Sequence, residues 1–145
     1  MKALFLVFLM SGSTTLVWAG NAPSVYFGSI MQQNGRPTIE ATDEFSRSHH
    51  ESMCWLIHNA PKHATFKIIE QFRSPPNSIF EHPKAQIQVN ANATEHTLTY
   101  NAQTNQAGQF LQCWSFDSSD PVGMYTLTLT INNEKIQPQT FQLKY

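Results

Sequence analysis

The sequence predicts an all-β fold, a sandwich of about seven to nine short antiparallel strands. Three features predict it. Apolar and polar residues alternate with period two, while helical periodicity is weak. Turn-forming residues separate the short apolar runs. Two cysteines, Cys54 and Cys113, sit in a chain that begins like an exported protein.

Residues 1–19 read as a secretory signal. Lys2 supplies a positive start, residues 3–10 are apolar, residues 11–15 break the run, and Val17-Trp18-Ala19 fits a cleavage site. The apolar run is too short to cross about 30 Å of hydrocarbon, so stable membrane insertion is not expected. Residues 20–145 then form a single domain, large enough for its own core. The whole chain carries a net charge of −1 with no basic run, which argues against a nucleic-acid partner.

Strands are expected near residues 25–30, 38–42, 52–58, 65–72, 85–89, 95–100 and 110–116. Between them lie Asn34-Gly35-Arg36-Pro37, Asn59-Ala60-Pro61, Ser74-Pro75-Pro76-Asn77 and further Asn-rich turns. Residues 44–51 are polar and read as a loop or a short helical turn. Pro75, Pro76 and Pro83 make residues 73–84 an irregular crossover, in which Ile79 and Phe80 are expected to tuck onto the core. In residues 124–131, Tyr125, Leu127, Leu129 and Ile131 share one face and Thr126, Thr128 and Thr130 the other. Asn132-Asn133-Glu134-Lys135 is turn chemistry, and Phe141, Leu143 and Tyr145 alternate with polar residues to complete a hairpin.

An oxidising compartment makes a Cys54–Cys113 disulfide the expectation. Each cysteine precedes a tryptophan, and on a strand adjacent side chains point to opposite faces. Trp55 therefore groups with Met53 and Ile57, and Trp114 with Phe110, Gln112 and Phe116. Two arrangements satisfy this. In the first, the tryptophan faces form the core and the disulfide joins neighbouring strands on the opposite face. In the second, the disulfide bridges the sheets through the core and the tryptophans lie outside as a binding patch.

Asp120-Pro121-Val122-Gly123-Met124-Tyr125-Thr126-Leu127, followed by the hairpin ending in Phe141-Gln142-Leu143, resembles the last two strands of bacterial immunoglobulin-like domains. There a Pro-x-Gly-x-Tyr turn opens the penultimate strand. The resemblance covers this hairpin only and implies an immunoglobulin-like β-sandwich. Antibody-type domains have a similar corner with a Cys two residues after the Tyr; Leu127 stands there in this chain, so the expected disulfide is not the antibody one.

No motif marks an enzyme. Asp43-Glu44 and Asp117 with Asp120 are the closest carboxylate groupings, and both read as turn chemistry. No Gly-x-Ser-x-Gly elbow or glycine-rich phosphate loop occurs, and no cofactor is expected. The expected function is an exported, non-catalytic protein-binding module of the accessory-subunit, adhesin-like or inhibitor type. Its partner would be another protein, met in the periplasm or, alternatively, outside the cell. Trp55, Trp114, Phe116 and Tyr26 are the candidate binding residues. The alternative is a periplasmic metal-handling protein, with His49, His50 and Met53 as candidate ligands.

Overall fold

A computed structural model describes residues 23–145; the expected signal, residues 1–19, lies outside them. The described chain contains eleven strands: β1 (Ser24–Gln33), β2 (Arg36–Glu40), β3 (Glu44–Ser46), β4 (Ser52–His58), β5 (Thr65–Arg73), β6 (Gln86–Val89), β7 (Glu95–Gln103), β8 (Phe110–Ser115), β9 (Gly123–Ile131), β10 (Glu134–Lys135) and β11 (Gln139–Lys144). They form two sheets. One has the order β2-β1-β4-β8; the other runs β3-β11-β9-β5-β7-β6, with β10 paired to β9. The all-β sandwich with one disulfide is thus the fold.

The strands expected from alternation are present, and two short ones join them. β3 has three residues and β10 two. β3 occupies part of the stretch expected as loop or helical turn. Phe45, its one apolar residue, is buried against Phe141 and Phe116, and β3 pairs in parallel with β11. A single apolar residue gives no periodicity, so this strand has no signature in the sequence. The expectation of uniformly antiparallel pairing is corrected at this one contact.

The larger sheet follows its alternation closely. Phe66, Ile68 and Phe72 of β5, Leu98, Tyr100 and Ala102 of β7, and Tyr125, Leu127, Leu129 and Ile131 of β9 all face inward and are buried. Each of the large aliphatic and phenylalanine side chains among them stabilises the fold by roughly 1.5–3 kcal/mol through removal from water. The smaller sheet differs, because residues 53–57 of β4 are buried on both faces. Met53, Trp55 and Ile57 face the other sheet. On the outer side, β2 lies close to β4, and Pro37, Thr38 and Ile39 share a groove with Leu56 and His58. β1 makes this possible by pairing with β4 through residues 24–28 and with β2 through residues 29–33. Gly28 sits at the change, at φ +149°, where a Cβ would lie 1.9 Å from the Glu40 carbonyl oxygen.

Cys54 and Cys113 face each other directly across β4 and β8, with Cα atoms 4.1 Å apart, and are disulfide-bonded. The bridge therefore lies within one sheet, and the tryptophans point into the core. This selects the first of the two arrangements and removes the second.

The Pro-x-Gly-x-Tyr corner also has its expected form. The Tyr125 hydroxyl donates to the Pro121 carbonyl at 2.7 Å. Gly123, at φ +141°, leaves room for Pro75, whose Cγ would lie 2.9 Å from an added Cβ. The crossover between β5 and β6 is thereby tied to the corner, and Ser78 Oγ reaches both the Pro75 carbonyl and the Tyr125 hydroxyl. Phe80 is buried and stacks on Phe72 at 4.2 Å. Ile79 does not tuck in as expected: it is 74% exposed. Extended neighbours point to opposite sides, so burial of Phe80 sends Ile79 outward.

Candidate functional site

Glu70 is the unexpected centre of the core. It follows Phe66 and Ile68 on the inward face of β5 and is 0% exposed. A buried carboxylate is costly unless hydrogen-bonded. Three donors meet that need: Trp55 Nε1 at 2.6 Å and Trp114 Nε1 at 3.0 Å on Oε1, and the Tyr100 hydroxyl at 3.1 Å on Oε2. The donors come from both sheets, so Glu70 joins the layers without a covalent inter-sheet bridge. Burial raises its pKa above the ordinary 4.5, and the hydrogen bonds from Trp114, Trp55 and Tyr100 oppose that shift. Burial, then the charge of Glu70, pushes the Tyr100 hydroxyl far upward as well.

This clasp seats a surface groove. His82, in the crossover, stacks on the Tyr100 ring at 4.2 Å and bonds the Gln112 side chain. Burial lowers its pKa below the usual 6.5, and Lys84 adds to that; the bond to Gln112 opposes it. Between the crossover and β8 runs a groove of about 610 Å³. Ile79, Glu81 and His82 form one wall, Gln112 to Ser115 the floor and other wall, and Asp117 and Asp120 the end. Trp114, 8% exposed, contributes its outer edge to the lining.

β8 is the outermost strand of its sheet, and no strand pairs with its far edge among the described residues. The register decides which main-chain groups that edge offers. A Cα separation of 4.1 Å at Cys54–Cys113 fits a non-hydrogen-bonded antiparallel pair, in which N–H and C=O point away from the partner strand. Phe116 donates its N–H to the Glu51 carbonyl, as this phase requires. The even-numbered residues of β8 thus bond to β4. Leu111, Cys113 and Ser115 direct N–H and C=O to the open side. The Gln112 side chain donates to the Cys113 carbonyl at 3.3 Å from that side.

The sequence-predicted site residues separate. Trp55 and Phe116 are buried in the core and offer no surface, which corrects the reading of a tryptophan–phenylalanine recognition patch. Trp114 reaches only the groove floor. Tyr26 is 48% exposed on the opposite side of the smaller sheet, edge-on to His58. Met53 is buried in the core, whereas His49 and His50 are exposed in the turn after β3. Their different surroundings do not form a shared ligand set. Among the described residues no group of three or more His, Cys, Asp or Glu could hold a metal ion. No described helix is long and apolar enough to cross a membrane.

Glu70, Tyr100, His82 and Gln112 were not among the expected site residues, although Gln112 was expected on the Trp114 face of its strand. Glu70 had a signal: it takes the inward parity of Phe66, Ile68 and Phe72, and two inward indoles need an acceptor. His82 and Gln112 had none, because the irregular crossover brings them together.

Comparison with known proteins places the chain among β-sandwich proteins. An uncharacterized protein of Pasteurella multocida, PM0630, is 27% identical over 109 residues, which span 74% of this chain and 69% of that protein. An immunoglobulin-like protein of Pseudomonas aeruginosa superposes with a TM-score of 0.47 at 10% identity, covering 83% of this chain and 92% of that one. The family model described as the PM0630 beta sandwich domain matches residues 25–144. The chain belongs to the PM0630 beta sandwich domain family.

Proposed function

We propose that this chain is an exported, non-catalytic protein-binding module that receives a strand of its partner on the free edge of β8. One observation carries the reading: Leu111, Cys113 and Ser115 turn their main-chain donors and acceptors outward beside a groove. Such an edge is a template for strand addition, with main-chain bonds giving affinity and the groove giving selectivity. The disulfide and the Glu70 clasp hold β8 in place, so the edge is preorganised. The buried carboxylate is sealed from solvent and serves the fold. An accessory subunit of an envelope complex, an adhesin-like module and an inhibitor all fit this mode. The periplasm is the location the reading implies, with the cell exterior as the alternative.

A photo-reactive residue replacing the exposed Ile79, introduced in the native cell, should give one defined adduct. The same probe at Thr128, on the outer face of β9, should not. Ser115→Pro removes only an outward N–H and the Ser52–Ser115 hydroxyl contact, and proline is tolerated on edge strands. It should abolish the adduct while the protein still melts cooperatively. An adduct that survives Ser115→Pro would refute the edge reading.

A further inference from the structure

We propose that the strand received by β8 is cationic, carrying Lys or Arg side chains to a lip formed by Glu81, Asp117 and Asp120. The proposal rests on the edge reading above and specifies the partner's chemistry.

The groove is charged with one sign. Glu81, Asp117 and Asp120 line it, and no Lys or Arg does. Elsewhere two exposed carboxylates are paired with cations, Glu95 with Arg73 and Glu44 with Lys144. None of the three lip carboxylates has an ion pair among the described residues. The charges of Arg47 and His50 reach Asp117, but neither pairs with a lip carboxylate: Arg47 Nη1 donates to the Ser118 and Asp120 carbonyls, and its guanidinium lies over the Tyr145 ring. Asp117 uses Oδ1 for the Ser119 N–H and hydroxyl, and Asp120 uses Oδ2 for the Asp117 N–H. Asp117 Oδ2 and Asp120 Oδ1 remain open to an incoming cation. His82 adds no compensating positive charge near neutral pH, because burial depresses its pKa.

The geometry sets the form of the occupant. Six residues of β8 at roughly 3.3 Å each give an edge of about 20 Å. A strand laid along it alternates its side chains. One set lies over Gln112 and Trp114 in the groove, and the other lies beside the disulfide. A basic side chain at the end that follows Ser115 meets Asp117 and Asp120. One rising from the groove meets Glu81. A second copy of this chain pairing β8 with β8 fits less well, since Phe110–Ser115 carries no Lys or Arg.

Three capped peptides share a Val-Thr-Val-Thr centre and differ at both ends, with lysines, serines or glutamates. Each is titrated into the isotope-labelled purified protein, and the amide resonances of Leu111, Cys113 and Ser115 are followed. The lysine peptide should perturb these three amides and slow their exchange. The glutamate peptide should bind at least about tenfold more weakly. In Glu81→Gln/Asp117→Asn/Asp120→Asn protein, that preference should vanish, and in the unaltered protein added salt should weaken only the lysine peptide. Equal binding of all three peptides at these amides overturns the cationic proposal and leaves the edge reading intact. If no peptide perturbs these amides, both fail. Concentration-dependent mass without peptide, with the same amides protected, assigns the edge to a second copy and also overturns the proposal.

Discussion

The core has two ends held by different physics. Toward β3, β9 and β11 it is aromatic: Phe45, Phe116, Tyr125 and Phe141 touch ring to ring, with Tyr125 stacked on Phe141 at 5.2 Å. Toward β4, β5, β7 and β8 it is a polar seam, in which one carboxylate gathers two indoles and a phenol. Ring packing has preferred geometries, but each contact is weak and no polar group is left unpaired if it shifts. Hydrogen bonds in a low-dielectric interior fix orientation and are costly to leave half made. The seam therefore orders the side of the molecule that carries the β8 groove. The aromatic end closes the sandwich and ties down the crossover from beneath.

The largest expected effect tests that contrast. Glu70→Ala leaves two indole N–H groups and a phenol without their acceptor and opens a cavity, so it should cost about 5 kcal/mol and unfold much of the population. Leu127→Ala, a buried change with no hydrogen bond at stake, should cost about 3 kcal/mol. Denaturant melts compare the two. Equal losses would show that the seam is no more than packing. Cys54→Ala/Cys113→Ala comes next. The bridge closes a loop with a sequence separation of 59, worth about 4 kcal/mol by chain entropy. The relative strand positions are already fixed by β4–β8 pairing, so the reduced fold should keep Trp114 inside, with blue-shifted emission at low denaturant. A red shift there would show that the disulfide, and not the seam, holds β8.

The two ends also differ in how far the sequence disclosed them. Strand β9 and its Pro-x-Gly-x-Tyr corner were legible because alternation and turn chemistry agree there. Parity placed each cysteine opposite its tryptophan and so left two arrangements; the direct pairing of Cys54 with Cys113 across β4 and β8 decides for inward tryptophans and an in-sheet disulfide. Burial of Cys54 and Leu56 did not follow, because β2 reaches β4 only through the bend at Gly28. The groove was illegible for a similar reason. Its walls come from an irregular segment and an edge strand far apart in the chain, and no local periodicity joins Ile79 to Ser115.

A third expectation separates charge from packing in the seam. Burial raises Glu70 above 4.5, so the folded protein holds that proton more tightly than the unfolded chain. The contribution is fully present below 4.5 and is lost as pH rises through the window up to the folded value. Glu70→Gln keeps an acceptor for the indoles and does not titrate. The stability difference, variant relative to wild type, should therefore shift in favour of Glu70→Gln as pH rises above 4.5. Melting temperatures measured across that range would contradict this if the difference stayed constant or moved the other way.

The smallest expected effect is at the aromatic end. Tyr125→Phe keeps the ring and its stack on Phe141 and removes the hydroxyl that donates to the Pro121 carbonyl. The ring and Ser78 are buried, but Pro121, whose carbonyl accepts from the hydroxyl, is only half-buried. The loss should be about 1 kcal/mol, the net worth of one hydrogen bond. Its location matters more than its size. The hydroxyl links β9 to the crossover through Ser78, and the crossover supplies Ile79, Glu81 and His82 to the groove. Tyr125→Phe should thus speed amide exchange around residues 78–82 and leave the Trp55 and Trp114 indole N–H protection unchanged. Faster indole exchange would mean that the two ends of the core are one cooperative unit, and that the seam orders nothing by itself.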